Sequence, residues 1–223
     1  MDKAIVLASG GLDSCVSIAC ALKDRYEVCL LHINYGQRTQ SREDRAFSDI
    51  ADFYGITQKL IVDISYLRQI GGSSLVDSSM PIEEDTIPSA KGAIPSTYVP
   101  FRNANMISIA VSWAEVIGAK KIYIGAVEED SSGYPDCREI FYQKFNDLLK
   151  VGLSPKSEVE ILTPLIHLSK KEIVQKGIEL EAPLHLTWSC YQNENKACGV
   201  CESCKLRLRG FELAGVKDPI KYE

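Results

Sequence analysis

Apolar and polar positions follow two different periods through the first two thirds of the chain. Short continuous apolar runs rich in β-branched residues predict buried strands, and longer segments with apolar positions three or four apart predict amphipathic helices. We therefore predict strands at residues 3–8, 27–33, 58–64, 120–126 and 158–162, and helices at residues 12–23, 41–54, 103–117, 139–151 and 169–179.

Local signals mark several boundaries of these elements. Gly55 suits the left-handed position after a helix, and Asn103 is expected to cap the helix that it begins. Ser169, with Glu172 three residues later, predicts a capping box. Residues 66–100 are rich in Gly, Pro and Ser, and a structureless segment of this length is typical of a lid or a substrate loop.

Apolar strands separated by helices predict an α/β fold with a doubly wound, parallel five-stranded sheet of the Rossmann-like kind. Such sheets bind ligands beyond the carboxyl ends of their strands, so the segments after the first four strands should surround one crevice. We expect this domain to cover residues 1–183. The strand pattern ceases at residue 184, and residues 184–223 are expected to form a small C-terminal appendage.

Composition and charge exclude several classes of protein. The 223 residues are 45% hydrophobic and 25% charged, which is typical of a globular protein and not of a disordered one. The net charge of −5 argues against a global grip on nucleic acid. No apolar run approaches the roughly 20 residues that cross a bilayer, and the first residues do not resemble a signal peptide. We expect a cytoplasmic protein without a membrane partner or a direct nucleic-acid partner.

The segment S-G-G-L-D-S at residues 9–14 joins the first strand to the first helix. Two glycines permit a tight turn, Ser9 and Ser14 add hydroxyl donors, and the helix offers unpaired N–H groups to an anion. Asp13 would repel phosphate directly, so we expect it to act through Mg²⁺ or through another side chain. The segment is neither a Walker loop nor a dinucleotide loop. A plain strand–turn–helix corner is the alternative interpretation.

At the first strand of a parallel sheet, S-G-G-x-D-S resembles the loop of the PP-loop ATP pyrophosphatase group. The resemblance implies an adenine nucleotide alpha hydrolase-like fold in which pyrophosphate is held while the α-phosphate is attacked. Ser9, Asp13 and Ser14 are then the candidate catalytic residues. The adenosine would meet residues 32–37, although His32 itself is expected to be a core-edge histidine bonded to backbone. The implied ATP-binding residues are Ala8, Ser9, Gly10, Gly11, Leu12, Asp13, Ser14, Cys15, Val16, Ser17 and Ile18.

Eight cysteines without an export signal do not predict disulfides. Four are scattered and are expected to pack as small buried hydrophobes: Cys15, Cys20, Cys29 and Cys137. The other four form the pattern C-x7-C-x2-C-x2-C at Cys190, Cys198, Cys201 and Cys204. Four thiolates without an open position predict a structural Zn²⁺ site, with an iron–sulfur cluster as the alternative. Such a site would clamp Trp188 and Ser189 over the crevice.

Three further motifs narrow the function: Y-V-P-F-R-N at residues 98–103, S-G-Y-P-D-C-R at residues 132–138, and W-S-C at residues 188–190. With S-G-G-x-D-S and the cysteine pattern, they resemble the 7-cyano-7-deazaguanine synthases of queuosine biosynthesis over nearly the whole chain. Leu12 stands where many members have Gln, but a backbone cradle does not depend on that side chain. The resemblance implies ATP-dependent conversion of 7-carboxy-7-deazaguanine and ammonium to the nitrile. It also implies Mg²⁺, structural zinc and a homodimer.

A planar deazapurine substrate requires an aromatic face and a carboxylate for its N–H donors. The aromatic face could come from Phe101, Tyr134 or Trp188, and the carboxylate from Asp136. The guanidinium groups of Arg102 and Arg138 could bind the substrate carboxylate or the phosphates. Asp136 could instead cap a helix, and Arg102 could pair with a surface acid. With Tyr98, the candidate substrate residues are Tyr98, Phe101, Arg102, Tyr134, Asp136, Arg138 and Trp188.

Two other functions remain open from the sequence. One is a PP-loop ligase or sulfur transferase that acts on tRNA, for which Lys205, Arg207 and Arg209 offer only a small basic cluster. The other is a zinc-clamped sensor that binds ATP without turnover. An asparagine synthetase-like enzyme is disfavoured because Asp2 stands where glutaminase chemistry needs cysteine.

Overall fold

Five parallel strands form the central sheet in the order β3-β2-β1-β4-β5. The computed structural model describes residues 1–82, 94–128 and 134–223. The strands are β1 (Lys3–Leu7), β2 (Glu27–Asn34), β3 (Lys59–Asp63), β4 (Lys121–Ile124) and β5 (Glu160–Leu162). The predicted doubly wound sheet is confirmed, with strand ends within two residues of the predicted ones.

Helices cover both faces of this sheet. They are α1 (Leu12–Lys23), α2 (Gln40–Phe53), α3 (Tyr66–Ile70), α4 (Arg102–Ile117), α5 (Glu139–Gly152), α6 (Lys170–Glu179) and α7 (Glu202–Leu213). The core on one face contains residues of α1, α2, α6 and α7, and the core on the other contains residues of α3, α4 and α5. The sequence analysis did not predict α3 and α7.

Side chains of β1 alternate between the two cores. Ala4 and Val6 belong to the core beneath α1, whereas Ile5 belongs to the core beneath α4, and all three are fully buried. Burial on both faces explains why the strands appear as continuous apolar runs. The chain order reverses between β1 and β4, and this reversal places the ligand crevice of such sheets outside their carboxyl ends.

The beginning of α4 differs from the prediction. Phe101, with a φ of 56°, precedes the helix in a left-handed conformation, and no side chain caps the helix from that position. Asn103 lies inside the first turn, so its predicted capping role is wrong. Its backbone N–H instead donates to Asp136 Oδ2 at 3.0 Å, because the carboxylate from a distant segment satisfies one of the N–H groups that the helix leaves unpaired.

Two other predictions about local structure have different outcomes. The capping box of Ser169 and Glu172 is confirmed, since each side chain accepts from the other residue's backbone N–H. The segment 66–100 begins with α3 and not with loop, and residues 83–93 of it, with the acidic residues 83–85, lie outside the described residues. Within the described part of the chain, no helix has the length and apolar character needed to cross a membrane.

Candidate active site

The loop of residues 9–14, here called the PP-loop, forms a cradle at the carboxyl end of β1. Gly10 has a φ of +82°, and a Cβ there would lie 2.8 Å from the carbonyl oxygen of Glu43. Ser9 Oγ accepts from the N–H of Gly11 at 3.2 Å and lies 3.2 Å from Ser14 Oγ. The first-turn N–H groups of α1 have no acceptor within the helix. These hydroxyl and N–H donors make the PP-loop suited to a phosphate.

Lys170 brings a positive charge to the PP-loop, which the sequence analysis missed. Its Nζ lies 2.9 and 3.0 Å from the two carboxylate oxygens of Asp13. Gly210 of α7 leaves room for this lysine, because a Cβ at that position would lie 2.5 Å from Lys170 Cγ. The pair reduces the repulsion that Asp13 alone would exert on a bound phosphate. The capping box at Ser169 gave no sign of this role for its neighbour.

Gly125, directly after β4, is a second residue that the sequence analysis missed. A Cβ there would lie 2.8–2.9 Å from the backbone of Asp13 and Ser14. The first turn of α1 therefore passes over the end of β4 at a distance that only glycine permits. The contact positions the N–H groups of that turn relative to the sheet.

A cavity of about 330 Å³ opens beside the PP-loop. Its floor consists of apolar side chains at the strand ends and on α4, and the PP-loop, α6, α7 and the segment around Trp188 form the remaining walls. The apolar floor residues are Leu7, Ala8, Leu31, Ile33, Met106, Ile107, Ile124 and Ala126. An apolar wall beside an anion cradle suits a ligand that combines an aromatic base with phosphates.

The structure brings three of the seven predicted substrate residues to this cavity: Arg102, Tyr134 and Trp188. The rings of Tyr98 and Tyr134 lie 5.6 Å apart, so Tyr98 supports the wall from behind. Phe101 is absent from the described cavity lining, and its side chain is 62% exposed to solvent.

The remaining two candidates, Asp136 and Arg138, are absent from the described lining. Arg138 Nε donates to the carbonyl oxygen of Pro135 at 3.1 Å. Asp136 is buried and bonded to the start of α4, which is the structural role that the sequence left open, although for a different helix. Residues 132 and 133 of its motif lie outside the described residues.

Arg102 begins a polar chain that connects the cavity wall to α2. Its Nη1 donates to the Tyr35 hydroxyl at 3.1 Å, and the Tyr35 N–H donates to Gln37 Oε1 at 3.0 Å. Gln37 Nε2 in turn donates to Glu43 Oε2 at 3.1 Å, and Thr39 Oγ1 donates to Glu43 Oε1 at 3.0 Å. Burial raises the pKa of Glu43 to about 7. Tyr35 belongs to the segment 32–37 that was predicted to meet the adenosine, whereas no sequence signal pointed to Glu43.

His32 is a buried histidine bonded to backbone, as the sequence predicted. It is 1% exposed, and its Nδ1 lies 2.7 Å from the carbonyl oxygen of Ala8. Its Nε2 lies 3.0 Å from Asp44 Oδ1 and 3.2 Å from Asn34 Oδ1. Both ring nitrogens therefore have protein partners, and the ring ties β2 to the residue that precedes the PP-loop.

The four C-terminal cysteines form one cluster. Their Sγ atoms all lie within 4.8 Å of one another, and a tetrahedral ion with metal–sulfur bonds of about 2.3 Å requires sulfurs about 3.8 Å apart. Thiols of Cys201 and Cys204, followed by backbone N–H groups, hydrogen-bond to Cys190 and hold the pKa of its thiol below the usual range. The cluster therefore fits a four-thiolate metal such as Zn²⁺.

The four scattered cysteines are buried, as predicted. Burial raises the pKa of Cys15 to about 12 and that of Cys29 to about 11, so these thiols stay protonated and unreactive near neutral pH.

The cysteine segment is joined to the PP-loop through Trp188. The N–H of Trp188 donates to the carbonyl oxygen of Gly10 at 2.9 Å, and its indole Nε1 donates to Asn193 O at 3.1 Å. Arg42 of α2 lies over the indole ring at 4.5 Å. The cysteine cluster, which begins two residues further on at Cys190, is therefore positioned to hold this backbone contact in place.

Arg207 of α7 also supports this segment and is not part of a surface basic cluster, contrary to the sequence analysis. It is 1% exposed and forms two bonds to Asp218, at 2.7 and 2.9 Å. Its Nη1 donates to Thr187 Oγ1 at 2.7 Å and to Ser189 Oγ at 3.3 Å. A buried, fully bonded arginine cannot serve as an exposed phosphate-binding group for RNA.

Comparisons with known proteins agree closely with this architecture. The sequence matches the family described as "Queuosine biosynthesis protein QueC" over residues 3–215. A 7-cyano-7-deazaguanine synthase of Chlorobium phaeobacteroides (strain DSM 266) is 58% identical over 221 residues, covering 99% of this chain and 97% of the relative. The 7-cyano-7-deazaguanine synthase of Chloroherpeton thalassium is also 58% identical, with the same coverage.

One solved structure similar to this chain is a 4-thiouridine synthetase–RNA complex with bound ATP. It is 18% identical, has a TM-score of 0.50, and the match covers 96% of this chain and 53% of that chain. At this level of identity the similarity shows a shared fold.

Removal of the metal from the cysteine cluster tests its link to the PP-loop. In a Trp113→Phe variant, Trp188 is the only tryptophan. We expect a chelator strong enough to strip the cluster to shift the emission of Trp188 to longer wavelength, because the ring loses its buried position, and to lower the affinity for ATP measured by calorimetry. Addition of Zn²⁺ should reverse both changes. Metal-free protein with unchanged emission and ATP affinity would contradict the link.

Substitution of Gly125 tests the close passage of α1 over β4. In Gly125→Ala the new methyl group meets backbone that cannot rotate away, so the first turn of α1 must shift. A shift approaching 1 Å at such a site costs about 10- to 100-fold, and we expect ATP affinity to fall within that range. Gly152→Ala is the matched control, because a Cβ there meets nothing within 4 Å. Equal ATP affinity in the two variants would show that the contact is unimportant.

Proposed function

Because the chain belongs to the QueC family of queuosine biosynthesis proteins, we propose that it is an ATP-dependent ligase that converts 7-carboxy-7-deazaguanine and ammonium to 7-cyano-7-deazaguanine. The observation that carries the proposal is the full-length similarity to 7-cyano-7-deazaguanine synthases at 58% identity. The PP-loop, its lysine and the cavity floor supply the physical means for the activation of a carboxylic acid by ATP.

In the first half of the proposed reaction, a carboxylate oxygen of the substrate attacks the α-phosphorus of ATP. The bond to the bridging oxygen breaks, and pyrophosphate leaves into the cradle of Ser9, Ser14 and the first turn of α1. Lys170 neutralises part of the developing charge, and preorganised donors of this kind lower the barrier without reorganisation. Ammonia then attacks the acyl carbon, AMP leaves, and the product is the amide.

In the second half, the amide oxygen attacks the α-phosphorus of a second ATP, the bond to the bridging oxygen breaks, and a second pyrophosphate leaves. Loss of AMP and of the two amide protons leaves the carbon–nitrogen triple bond. The same PP-loop serves both halves, because each begins with an oxygen nucleophile that meets the same phosphorus. We propose that positioning supplies most of the rate enhancement, and that parts of residues 66–100 keep water from the activated acid.

Two metals belong to this proposal. Asp13 would hold Mg²⁺ together with the phosphates, and Mg²⁺ would balance the charge of the leaving pyrophosphate. The Asp13 carboxylate fits this role because it lines the cavity, where it also forms an ion pair with Lys170. Zn²⁺ would occupy the four-cysteine cluster, where four thiolates leave no position for substrate. Its role would be to stabilise residues 184–223 as a unit against the sheet domain.

Two further elements of the proposal come from the family resemblance. Free ammonium would be the nitrogen source, and the working form would be a homodimer.

The decisive experiment follows the products of the purified protein. With ATP, Mg²⁺, ammonium and 7-carboxy-7-deazaguanine, we expect mass spectrometry to detect AMP and the nitrile, with the amide as an intermediate. Exchange of labelled pyrophosphate into ATP should depend on the free base and not on tRNA. Exchange that depends on tRNA alone would favour a tRNA-modifying ligase, and ATP binding without any AMP would favour a sensor.

Substitution of Asp13 tests the PP-loop directly. We expect Asp13→Ala to lower turnover by about 100-fold or more, since the loss of one preorganised electrostatic group costs about that much. The metal content of the cysteine cluster should not change, because the four thiolates do not contact Asp13. Asp52→Ala, at an exposed position of α2, controls for the general effect of removing a surface carboxylate. Wild-type turnover in Asp13→Ala would refute the proposed role.

A further inference from the structure

Two charged side chains that line the cavity have no part in the proposed reaction. Glu43 projects from α2, and Arg102 begins α4. Both line the cavity, and the polar chain through Tyr35 and Gln37 connects them. Half-buried charged groups that keep unused hydrogen-bonding capacity beside a cavity suit a ligand with matching polar groups.

The carboxylate of Glu43 is held in a fixed orientation. Thr39 Oγ1 donates to one oxygen and Gln37 Nε2 donates to the other. A carboxylate offers about four acceptor sites, so each oxygen retains capacity for one further donor. An ionised carboxylate with both oxygens oriented suits two parallel N–H donors on one ligand edge.

Arg102 has unused donor capacity at a buried atom. Nη1 donates to Tyr35, and the guanidinium carbon lies 4.9 Å from the centre of the tyrosine ring. Among the described residues, however, none accepts a hydrogen bond from Arg102 Nε, which is buried. Burial also raises the pKa of Tyr35 to about 12, so the tyrosine remains a neutral support for the guanidinium. An acceptor from a ligand would satisfy the Nε donor.

Asp136, which the sequence suggested for base recognition, cannot fill this role in the same way. Its Oδ2 accepts the backbone N–H of Asn103 at 3.0 Å, and its backbone carbonyl accepts the Asn103 side-chain amide at 3.0 Å. Withdrawal of this carboxylate from α4 would leave an N–H group at the helix end without a partner, which destabilises the helix start. Its hydrogen bond to α4 therefore favours a structural role over base recognition.

A guanine-type base presents an edge that complements the pair of Glu43 and Arg102. Its N1–H and its 2-amino group are adjacent, parallel donors, and the O6 carbonyl beside them is an acceptor. We propose that Glu43 accepts from the N1–H and 2-amino groups of the deazaguanine substrate while Arg102 donates to O6. This inference rests on the proposed function and names the residues that give that site its preference for a guanine-type base.

The burial of Glu43 makes this recognition selective. Burial already disfavours the charged carboxylate. A ligand that lacks one of the two N–H donors leaves part of the acceptor capacity of this carboxylate unsatisfied and therefore binds more weakly. Sites of this kind reject analogues that lack the matching donor much more strongly than apolar pockets reject a missing methylene. The raised pKa of Glu43, about 7, has the same cause, and two N–H donors from a ligand would stabilise the ionised form.

Kinetics of Glu43→Gln test the proposal. We expect the KM for 7-carboxy-7-deazaguanine to rise by about 10- to 100-fold, as for the loss of a charged hydrogen-bond partner, while the KM for ATP changes less than about threefold. Glu212→Gln, at an exposed position of α7, is the matched control. An unchanged KM for the base, or an equal rise in the KM for ATP, would overturn the assignment.

A substrate analogue distinguishes base recognition by Glu43 from a merely structural role of this residue. The analogue 7-carboxy-7-deazahypoxanthine lacks the 2-amino group, and the wild-type protein should use it about 10- to 100-fold less efficiently than the natural base. Glu43→Gln should lose most of this discrimination, and Glu43→Asp, which retains the charge at a shorter reach, should retain part of it. Discrimination that stays at the wild-type level in both variants would overturn the proposal.

The contribution of Arg102 is tested in the same assay. Arg102→Met should raise the KM for the base and leave the preference for the 2-amino group intact, since O6 is a separate contact. Arg209→Met, at an exposed position of α7, is the control. ATP binding by calorimetry shows whether each variant is folded. If the wild-type protein forms no nitrile, the proposed function itself fails; if it does and these variants match it, only the present inference fails.

Discussion

The close packing of the first turn of α1 over the ends of β1 and β4 is the constraint on which the rest of the site depends. The PP-loop can collect an anion only if several N–H groups and hydroxyls point at one place. Gly10 lets the loop approach α2, and Gly125 lets α1 approach β4. The contact at Gly125 lies between β1 and β4, where the strand order reverses, so the topology of the sheet places the loop at the ligand crevice.

The C-terminal segment completes this arrangement from outside the sheet. Its main-chain bond from Trp188 to Gly10 and the buried network around Arg207 hold it against the loop. The segment around Trp188 has little regular secondary structure of its own, so packing alone would order it weakly. A metal held by the four thiolates would cross-link three parts of that segment, including the start of α7, and such metals contribute directly to folding. The cluster therefore acts on the PP-loop through backbone position and not through chemistry.

The sequence predicted the parts of the molecule that depend on local patterns. Strands and most helices follow from apolar periodicity, and the PP-loop and cysteine cluster follow from short motifs. Lys170 and Gly125 were missed because their roles depend on contacts with Asp13, far away in the sequence. Asp136 was expected in the substrate site, but it satisfies the start of α4 across 33 positions. No local signal distinguishes a carboxylate that binds a ligand from one that caps a distant helix.

The PP-loop and the pair of Glu43 and Arg102 would meet different parts of the substrate during the proposed reaction. At the PP-loop, the group at the 7-position of the base changes from acid to amide to nitrile. Contacts there must therefore position the α-phosphorus of ATP, which is attacked in both halves, and cannot depend on one functional group of the substrate. The base-pairing edge does not change in either half-reaction. Contacts from Glu43 and Arg102 to that edge would hold the base in one place through both adenylations. Recognition of an edge that does not react would therefore let one site act twice on the same molecule without a second binding pocket.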